Sequence, residues 1–206
     1  VHASGRVMSY EPPDALVLTG LDGEQVRVAV EGQYVDATHD LNADGTMLIS
    51  HLPTVVKLED LSQALPPVEI VGDYGILAVS NGPAPSVLLR SNRAPVTVSR
   101  VGLDGTSVTY EQPSDVLGLG DAWLAPDASS TIVRWVLNET AVSSGGTRDQ
   151  VHVLAAHDAA GALVAELWRG PVRASAGSAV LAVVDSTPRQ VLFWTQNVGY
   201  WGTLDA

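Results

Sequence analysis

Cysteine is absent from this chain of 206 residues, and basic residues are scarce. Without cysteine there is no disulfide, no thiolate metal site and no cysteine nucleophile, which suits the cytoplasm and a bacterial exterior equally. Lysine and arginine total 11 against 23 aspartates and glutamates, so the formal net charge is -12. Nucleic acids and anionic membrane surfaces bind to basic patches, and we therefore expect neither as a partner.

Long apolar runs and helical periodicity are also missing. The longest apolar stretches, such as residues 180–184, fall far short of the roughly 20 residues of a membrane-spanning helix, so we expect no membrane insertion. The chain begins at Val1 without an export signal, from which we expect a trimmed or mature fragment. The compartment stays open, and an extracytoplasmic or secreted bacterial location is our preference.

What the sequence does contain is an internal repeat. Residues 4–22 align without gaps on residues 44–62, an offset of 40 positions that matches Gly5 with Gly45, Pro13 with Pro53 and Leu18 with Leu58. The tetrapeptide at residues 20–23 recurs at 102–105, about twice that offset. A period of this length indicates a chain built from copies of one small structural unit.

Each unit combines short β-branched segments with Asp-Gly turns, which is typical of antiparallel strands joined by hairpins. We therefore predict an all-β fold, a five-bladed β-propeller of four-stranded blades forming one domain over residues 1–206. The approximate blades are 1–31, 32–70, 71–111, 112–167 and 168–206. Part of a larger propeller and two packed β-sandwiches are the alternatives.

Two irregularities interrupt the repeat. The first unit lacks its innermost strand, and residues 200–204 at the end of the chain offer one to spare, so we expect pairing of the termini to close the ring. The hydrophilic insertion at residues 138–150 stretches the fourth unit. We expect it to be a long loop rather than an additional element.

The segments APDASSTIVRWVLN and TRDQVHVLAAHDAAGALVAEL, at residues 125–138 and 147–167, carry a turn before an apolar strand and an Asp-rich turn between outer strands. They resemble the WD40-like repeats of TolB-type propellers, one unit clearly and the others loosely. The Gly-His and Trp-Asp dipeptides of true WD40 repeats are absent. The resemblance implies a propeller that most often serves as a binding scaffold, and it assigns no active-site residue.

The loops of such blades divide between two faces. Short Asp-Gly turns collect on one face, where we expect a structural role. Variable loops collect on the other, at residues 11–14, 51–54, 91–95, 138–150 and 185–189. Function usually lies in variable loops on a rigid scaffold, so we expect the ligand on this loop face.

A glutamate recurs near the end of each of the first four units, as Glu31, Glu69, Glu111 and Glu166. A ring of carboxylates around a central channel would suit a hard cation, which makes these four the metal candidates. The alternative is four solvated charges at strand ends. A structural cation is the only cofactor that the sequence suggests.

All five tryptophans lie after residue 122, at positions 123, 135, 168, 194 and 201. We expect Trp135 and Trp194, which lie within strand patterns, to pack between blades. Trp123 and Trp168 lie at connections beside charged residues, where an aromatic ring suits a sugar or a peptide. The expected ligand-binding residues are Trp123, Trp168, Asp121, Arg169, Tyr34 and Tyr74.

No catalytic motif occurs: there is no G-x-S-x-G elbow, no H-E-x-x-H and no P-loop, and Gly118-Leu119-Gly120 lacks the third glycine of a dinucleotide fingerprint. In the group Asp36 to Asp40, strand alternation points His39 away from the two aspartates, so we expect no metal site there. We assign no catalytic residue.

Three functions remain open. The first is a non-catalytic binding module that holds a protein partner or a glycan. The second is a polysaccharide hydrolase or lyase with channel carboxylates such as Asp36, Asp73 and Asp121. The third is a structural domain of a larger envelope or appendage assembly.

Overall fold

A computed structural model describes residues 3–12, 15–29, 38–63, 65–80, 84–142, 148–173, 180–184, 188–195 and 198–204, without the side chains of 139–142, 148 and 180. These residues form strands β1 to β18 and no helix, so the predicted all-β class is confirmed. In particular, no helix of the described part is long and apolar enough to cross a membrane.

The strands form five antiparallel sheets in chain order, and consecutive strands pair within each sheet. The first sheet contains β1 (Val7–Glu11), β2 (Ala15–Thr19) and β3 (Gln25–Ala29). The second contains β4 (Thr38–Leu41), β5 (Met47–Leu52), β6 (Val55–Asp60) and β7 (Val68–Val71). The third contains β8 (Tyr74–Val79), β9 (Ser86–Ser91), β10 (Val98–Gly102) and β11 (Ser107–Thr109). The fourth contains β12 (Val116–Leu124), β13 (Ser130–Val142), β14 (Arg148–Asp158) and β15 (Leu163–Val172). The fifth contains β16 (Val180–Val184), β17 (Gln190–Trp194) and β18 (Gly199–Thr203).

Consecutive sheets pack face to face, and each of the four spaces between them holds its own cluster of buried side chains. Leu18 and Leu48 meet in the first space, and Leu58 and Leu89 in the second. Leu88 and Trp135 meet in the third, and Leu154 and Phe193 in the fourth. The first strands of the third, fourth and fifth sheets, β8, β12 and β16, are neighbours.

Burial along the strands follows from this packing. In β9 the residues Val87 and Leu89 face the second sheet while Leu88 faces the fourth, so the strand is apolar without alternation. A strand covered on both faces needs such a continuous run. The end strand β3 instead alternates between half-buried and exposed residues, because only one face of the first sheet is covered.

Aspartates build the short turns. The Oδ1 atom of Asp44 accepts hydrogen bonds from the backbone nitrogen and hydroxyl of Thr46, at 3.0 and 2.6 Å. The same pair of bonds recurs at Asp60 with Ser62, at Asp104 with Thr106 and at Asp127 with Ser129. Because a hydroxyl residue two positions on satisfies the carboxylate, these turns are structural, as expected.

The expected closure through the chain ends is not observed among the described residues. Strand β18 pairs with β17, Leu192 opposite Trp201, and is the third strand of the fifth sheet, not a spare strand for the first. Among the described residues the first sheet has no counterpart of β4, since β1 and β2 start 40 residues before β5 and β6.

The insertion at residues 138–150 is not a long loop. Strands β13 and β14 extend into it and pair Thr140 with Gln150 and Val142 with Arg148, so most of the insertion lengthens a hairpin. The fourth sheet also continues through β15 to Val172, five residues past the expected blade boundary at 167.

Candidate functional site

The predicted tryptophans Trp123 and Trp168 lie on one face of the fourth sheet, directed toward the fifth. Trp168 is opposite Leu154 and packs against Phe193, with ring centroids 5.3 Å apart. Trp123 is opposite Ile132 and is half-buried on β12. Because Trp168 packs against Phe193, its ring is part of the fourth inter-sheet space. Trp135 is fully buried in the third space, and its expected packing between blades is observed.

The exposed tryptophans are two others. Trp194 and Trp201 are 59% and 63% exposed, so the expectation that Trp194 packs between blades is wrong. The reason is strand alternation: Val191 and Phe193 face the fourth sheet, which directs Leu192 and Trp194 outward. The apolar run at 190–194 was compatible with burial on both faces, and sequence alone could not show that the outer face is uncovered.

We call the outward side of the fifth sheet the aromatic face. It consists of Ala182, Val184, Gln190, Leu192, Trp194, Gly199, Trp201 and Thr203. The six-membered ring of Trp194 occupies the place that a Cβ at Gly199 would take, with ring carbons 2.5 and 2.7 Å from that position. Trp194 therefore lies across the neighbouring strand beside Trp201. No residue of this face is charged.

Asp121 belongs to a partly buried polar network. A bulge in β12 between Leu119 and Ala122 places the Asp121 carboxylate against Nε of Arg134, whose guanidinium lies 5.7 Å from the Phe193 ring centroid. Gly120 makes this possible, because a Cβ there would collide with the guanidinium. Arg134 also reaches Nδ1 of His152 at 2.8 Å.

Burial and the neighbouring Arg134 lower the pKa of His152 to about 4. Its Nε2 is buried without a hydrogen-bond partner among the described residues. The contact between Arg134 and His152 depends on the register of two strands and on the bulge in a third, so no local sequence pattern indicates it.

The predicted ligand residue Arg169 and the metal candidate Glu166 pair with each other on β15, at 3.0 Å. Of the other candidate glutamates, Glu69 lies 3.5 Å from Lys57, and the carboxylate of Glu111 accepts a hydrogen bond from the backbone nitrogen of Leu163. These three glutamates lie on or after the last strands of three sheets, away from the first strands. The expected carboxylate ring does not form in the described part of the chain, which holds no group of three potential metal ligands. Glu31, Tyr34 and Asp36 lie outside the described residues.

The loop face forms a cavity at the connections between the second and third sheets. It contains the predicted ligand residue Tyr74 together with Asp73, Thr54, Ser91 and Arg93. Arg189, the last residue of the predicted loop at 185–189, lies at the opposite face, however, because it contacts the hydroxyls of Ser129 and Ser130 at 3.3 and 3.2 Å at the start of β13. Residues 185–187 lie outside the described part of the chain.

The channel carboxylates of the enzyme hypothesis have separate partners. Asp121 is engaged by Arg134, and Asp73 accepts a hydrogen bond from Asn92 at 2.8 Å. They lie on or before the first strands of different sheets. The third carboxylate of this hypothesis, Asp36, lies outside the described residues.

The described residues therefore form an all-β protein of five packed antiparallel sheets, and the outer side of the fifth sheet is the exposed aromatic face. No protein-family model matches the chain, and no curated protein matches it significantly. A solved structure described as a crystal structure of the eukaryotic initiation factor aligns with 96% of this chain at 9% identity and a TM-score of 0.38. The chain spans 66% of the length of that structure. A likeness at this level carries no argument about function.

Proposed function

We propose that this chain is a non-catalytic binding module, an arc of propeller-type blades that holds an uncharged glycan on its aromatic face. The observation that carries the proposal is the exposed pair Trp194 and Trp201 on adjacent strands of the last sheet.

The blade arrangement is supported by three features. Each sheet is a meander of three or four strands, the sheets pack in chain order, and the first strands of the third, fourth and fifth sheets are neighbours. An arc rather than a closed ring accounts for the two end sheets, each of which has three described strands and one uncovered face.

A glycan suits the aromatic face because of its shape and its charge. Sugar rings stack their C–H faces on indole rings, and Trp194 lies across Gly199 and is 59% exposed. Gln190 and Thr203 at the edge of the face supply hydrogen-bonding groups for hydroxyls. The net charge of -12 repels acidic ligands but not a neutral one, and no charged side chain of the face must lose its water.

The test is a glycan array combined with pull-down on insoluble neutral polysaccharides, using the wild type, Trp194→Ala and Trp201→Ala. We expect each substitution to weaken binding about tenfold or more, the effect of removing a central aromatic contact. Tyr10→Ala is the matched control, since Tyr10 is 57% exposed but lies on the first sheet.

Circular dichroism spectra of the variants establish that they fold. A wild type that retains no neutral glycan contradicts the proposal, as does binding that survives both tryptophan substitutions. If the wild type instead retains a protein, and both tryptophan variants lose it, the aromatic face is the binding surface but its ligand is a protein, which contradicts the glycan part of the proposal.

A further inference from the structure

A second site is independent of the aromatic face and lies at the loop end of the second and third sheets. This cavity of about 350 Å³ is bounded by Thr54, Val71, Gly72, Asp73, Tyr74, Ser91 and Arg93. Its volume is within the range of small-molecule sites. Three connections meet here: the β5–β6 loop, the link from β7 to β8, and the β9–β10 loop.

Hydrogen bonds hold these connections in place. The backbone nitrogen of Gly72 donates to the carbonyl of Thr54 at 2.8 Å, and Asn92 donates to the carbonyl of Asp73 at 3.0 Å. Asn92 also donates its side-chain amide to Oδ1 of Asp73. Gly72 has a φ of 150°, and a Cβ there would collide with the Tyr74 ring, so only glycine lets that ring settle against the backbone.

The cavity carries one charge of each sign, and the two charges do not neutralise each other. Asp73 and Arg93 both line it, yet no ion pair joins them. The Arg93 guanidinium has no partner among the described residues, and Asp73 uses only one carboxylate oxygen, toward Asn92. An apolar wall stands beside them, because Val71 is 76% exposed next to the Tyr74 ring.

We infer that this cavity binds a zwitterion of the α-amino acid type, a free amino acid with an apolar side chain. The ligand carboxylate pairs with Arg93, the ammonium pairs with the open oxygen of Asp73, and an apolar side chain packs on Val71 and Tyr74. Guanidinium and carboxylate form charge-assisted hydrogen bonds, which are stronger than neutral ones.

The charges of Asp73 and Arg93 favour a zwitterion over a ligand with only one charge. A monocarboxylate would leave Asp73 unpaired and would meet the repulsion of a protein with a net charge of -12. A simple amine would leave Arg93 unpaired. A zwitterion has no net charge, so it satisfies both groups without opposing the field of the protein.

Isothermal titration calorimetry on the intact chain tests this. The probes are L-leucine and L-phenylalanine, each compared with its N-acetyl derivative and its amide, which remove one ligand charge at a time. We expect the free amino acids to bind and each blocked form to bind about tenfold more weakly or worse. Arg93→Gln and Asp73→Asn should each cause a similar loss.

Arg93→Lys separates charge from geometry and should retain part of the affinity, since a lysine keeps the cation without the planar fork. Arg173→Gln is the matched control, because Arg173 is an exposed arginine at the far end of the fourth sheet. The inference is overturned if no free amino acid binds at about 10 mM. It is also overturned if the blocked forms bind as well as the free ones, or if Arg93→Gln and Asp73→Asn leave affinity unchanged. Trp194→Ala should leave amino acid binding intact, so failure of the glycan proposal and failure of this one are distinguishable.

Discussion

The guanidinium of Arg134 donates a hydrogen bond to Nδ1 of His152 across 2.8 Å, and this contact fixes the protonation of the imidazole. Arginine always donates, so Nδ1 must accept and the ring proton must sit on Nε2. A second proton on His152 would break the bond and place two cations side by side in the space between the fourth and fifth sheets. Burial and Arg134 accordingly lower its pKa to about 4.

This contact predicts a loss of stability in mild acid. The folded-state pKa of His152 lies below the unfolded value of 6.5, so between about pH 6.5 and pH 4 the unfolded chain binds more protons. The free energy of unfolding should therefore fall as the pH falls through this window, by at most about 3 kcal/mol from His152. Urea denaturation at a series of pH values measures the slope. His152→Gln should flatten it, while the remaining slope comes from His39 and His157, whose pKa values are also lowered by burial. An unchanged slope in that variant would show that the buried contact does not govern the acid response.

Two glycines of β12 provide a matched pair for the same network. Gly120→Ala places a methyl group against the Arg134 guanidinium and should destabilise the fold by about 2 kcal/mol, the usual cost of overpacking. Gly118→Ala meets nothing within 4 Å and should have little effect or a slight stabilising one. Chemical denaturation of both variants at pH 7 checks this, and equal effects would contradict the assigned role of Gly120.

The sole lysine should hold Glu59 in its charged state. Lys57 lies 4.0 Å from Glu59 and 3.5 Å from Glu69, and burial raises the pKa of Glu59 against the opposing effect of Lys57. Lys57→Met removes the cation and should destabilise the fold by about 2 kcal/mol at pH 7. A raised folded-state pKa favours the folded state at low pH, so part of the loss should return at pH 5. Lys57→Arg, compared by urea denaturation, should lose less at both pH values. A loss in Lys57→Met that is the same at pH 7 and pH 5 would contradict the role of the lysine.

The Asp-Gly turns predict a purely conformational cost. Gly105 has a φ of +79° and an added Cβ would touch nothing within 4 Å. Gly105→Ala should therefore cost about 1 kcal/mol, from the left-handed backbone alone. Thermal unfolding of this variant should show a lower midpoint than the wild type. An unchanged midpoint would contradict the prediction. It would show that the Asp104–Thr106 hydrogen bonds do not hold residue 105 in the left-handed conformation.

Much of the architecture could be predicted because its signals are local. The 40-residue offset placed Pro13 on Pro53, and the structure has β1 and β5 at the corresponding positions. The Asp104 turn follows from residues 102–106 alone. Long-range partners left no such signal: Arg134 binds Asp121 and His152 on two other strands, and the bulge at Asp121 depends on the register of β12 against β13. Loop assignment failed at Arg189 for the same reason, since its contacts are 59 and 60 residues away.

The sequence by itself determined the strands, the Asp-Gly turns and the repeat, because these depend on backbone preferences and hydrogen bonds within a few residues. Only the tertiary structure decided which faces of the sheets are covered. It packs the half-buried Trp168 against Phe193 and leaves Trp194 and Trp201 exposed, although all three tryptophans lie on strands. Burial depends on whether another sheet packs against a face, and no residue carries that information in its immediate neighbours.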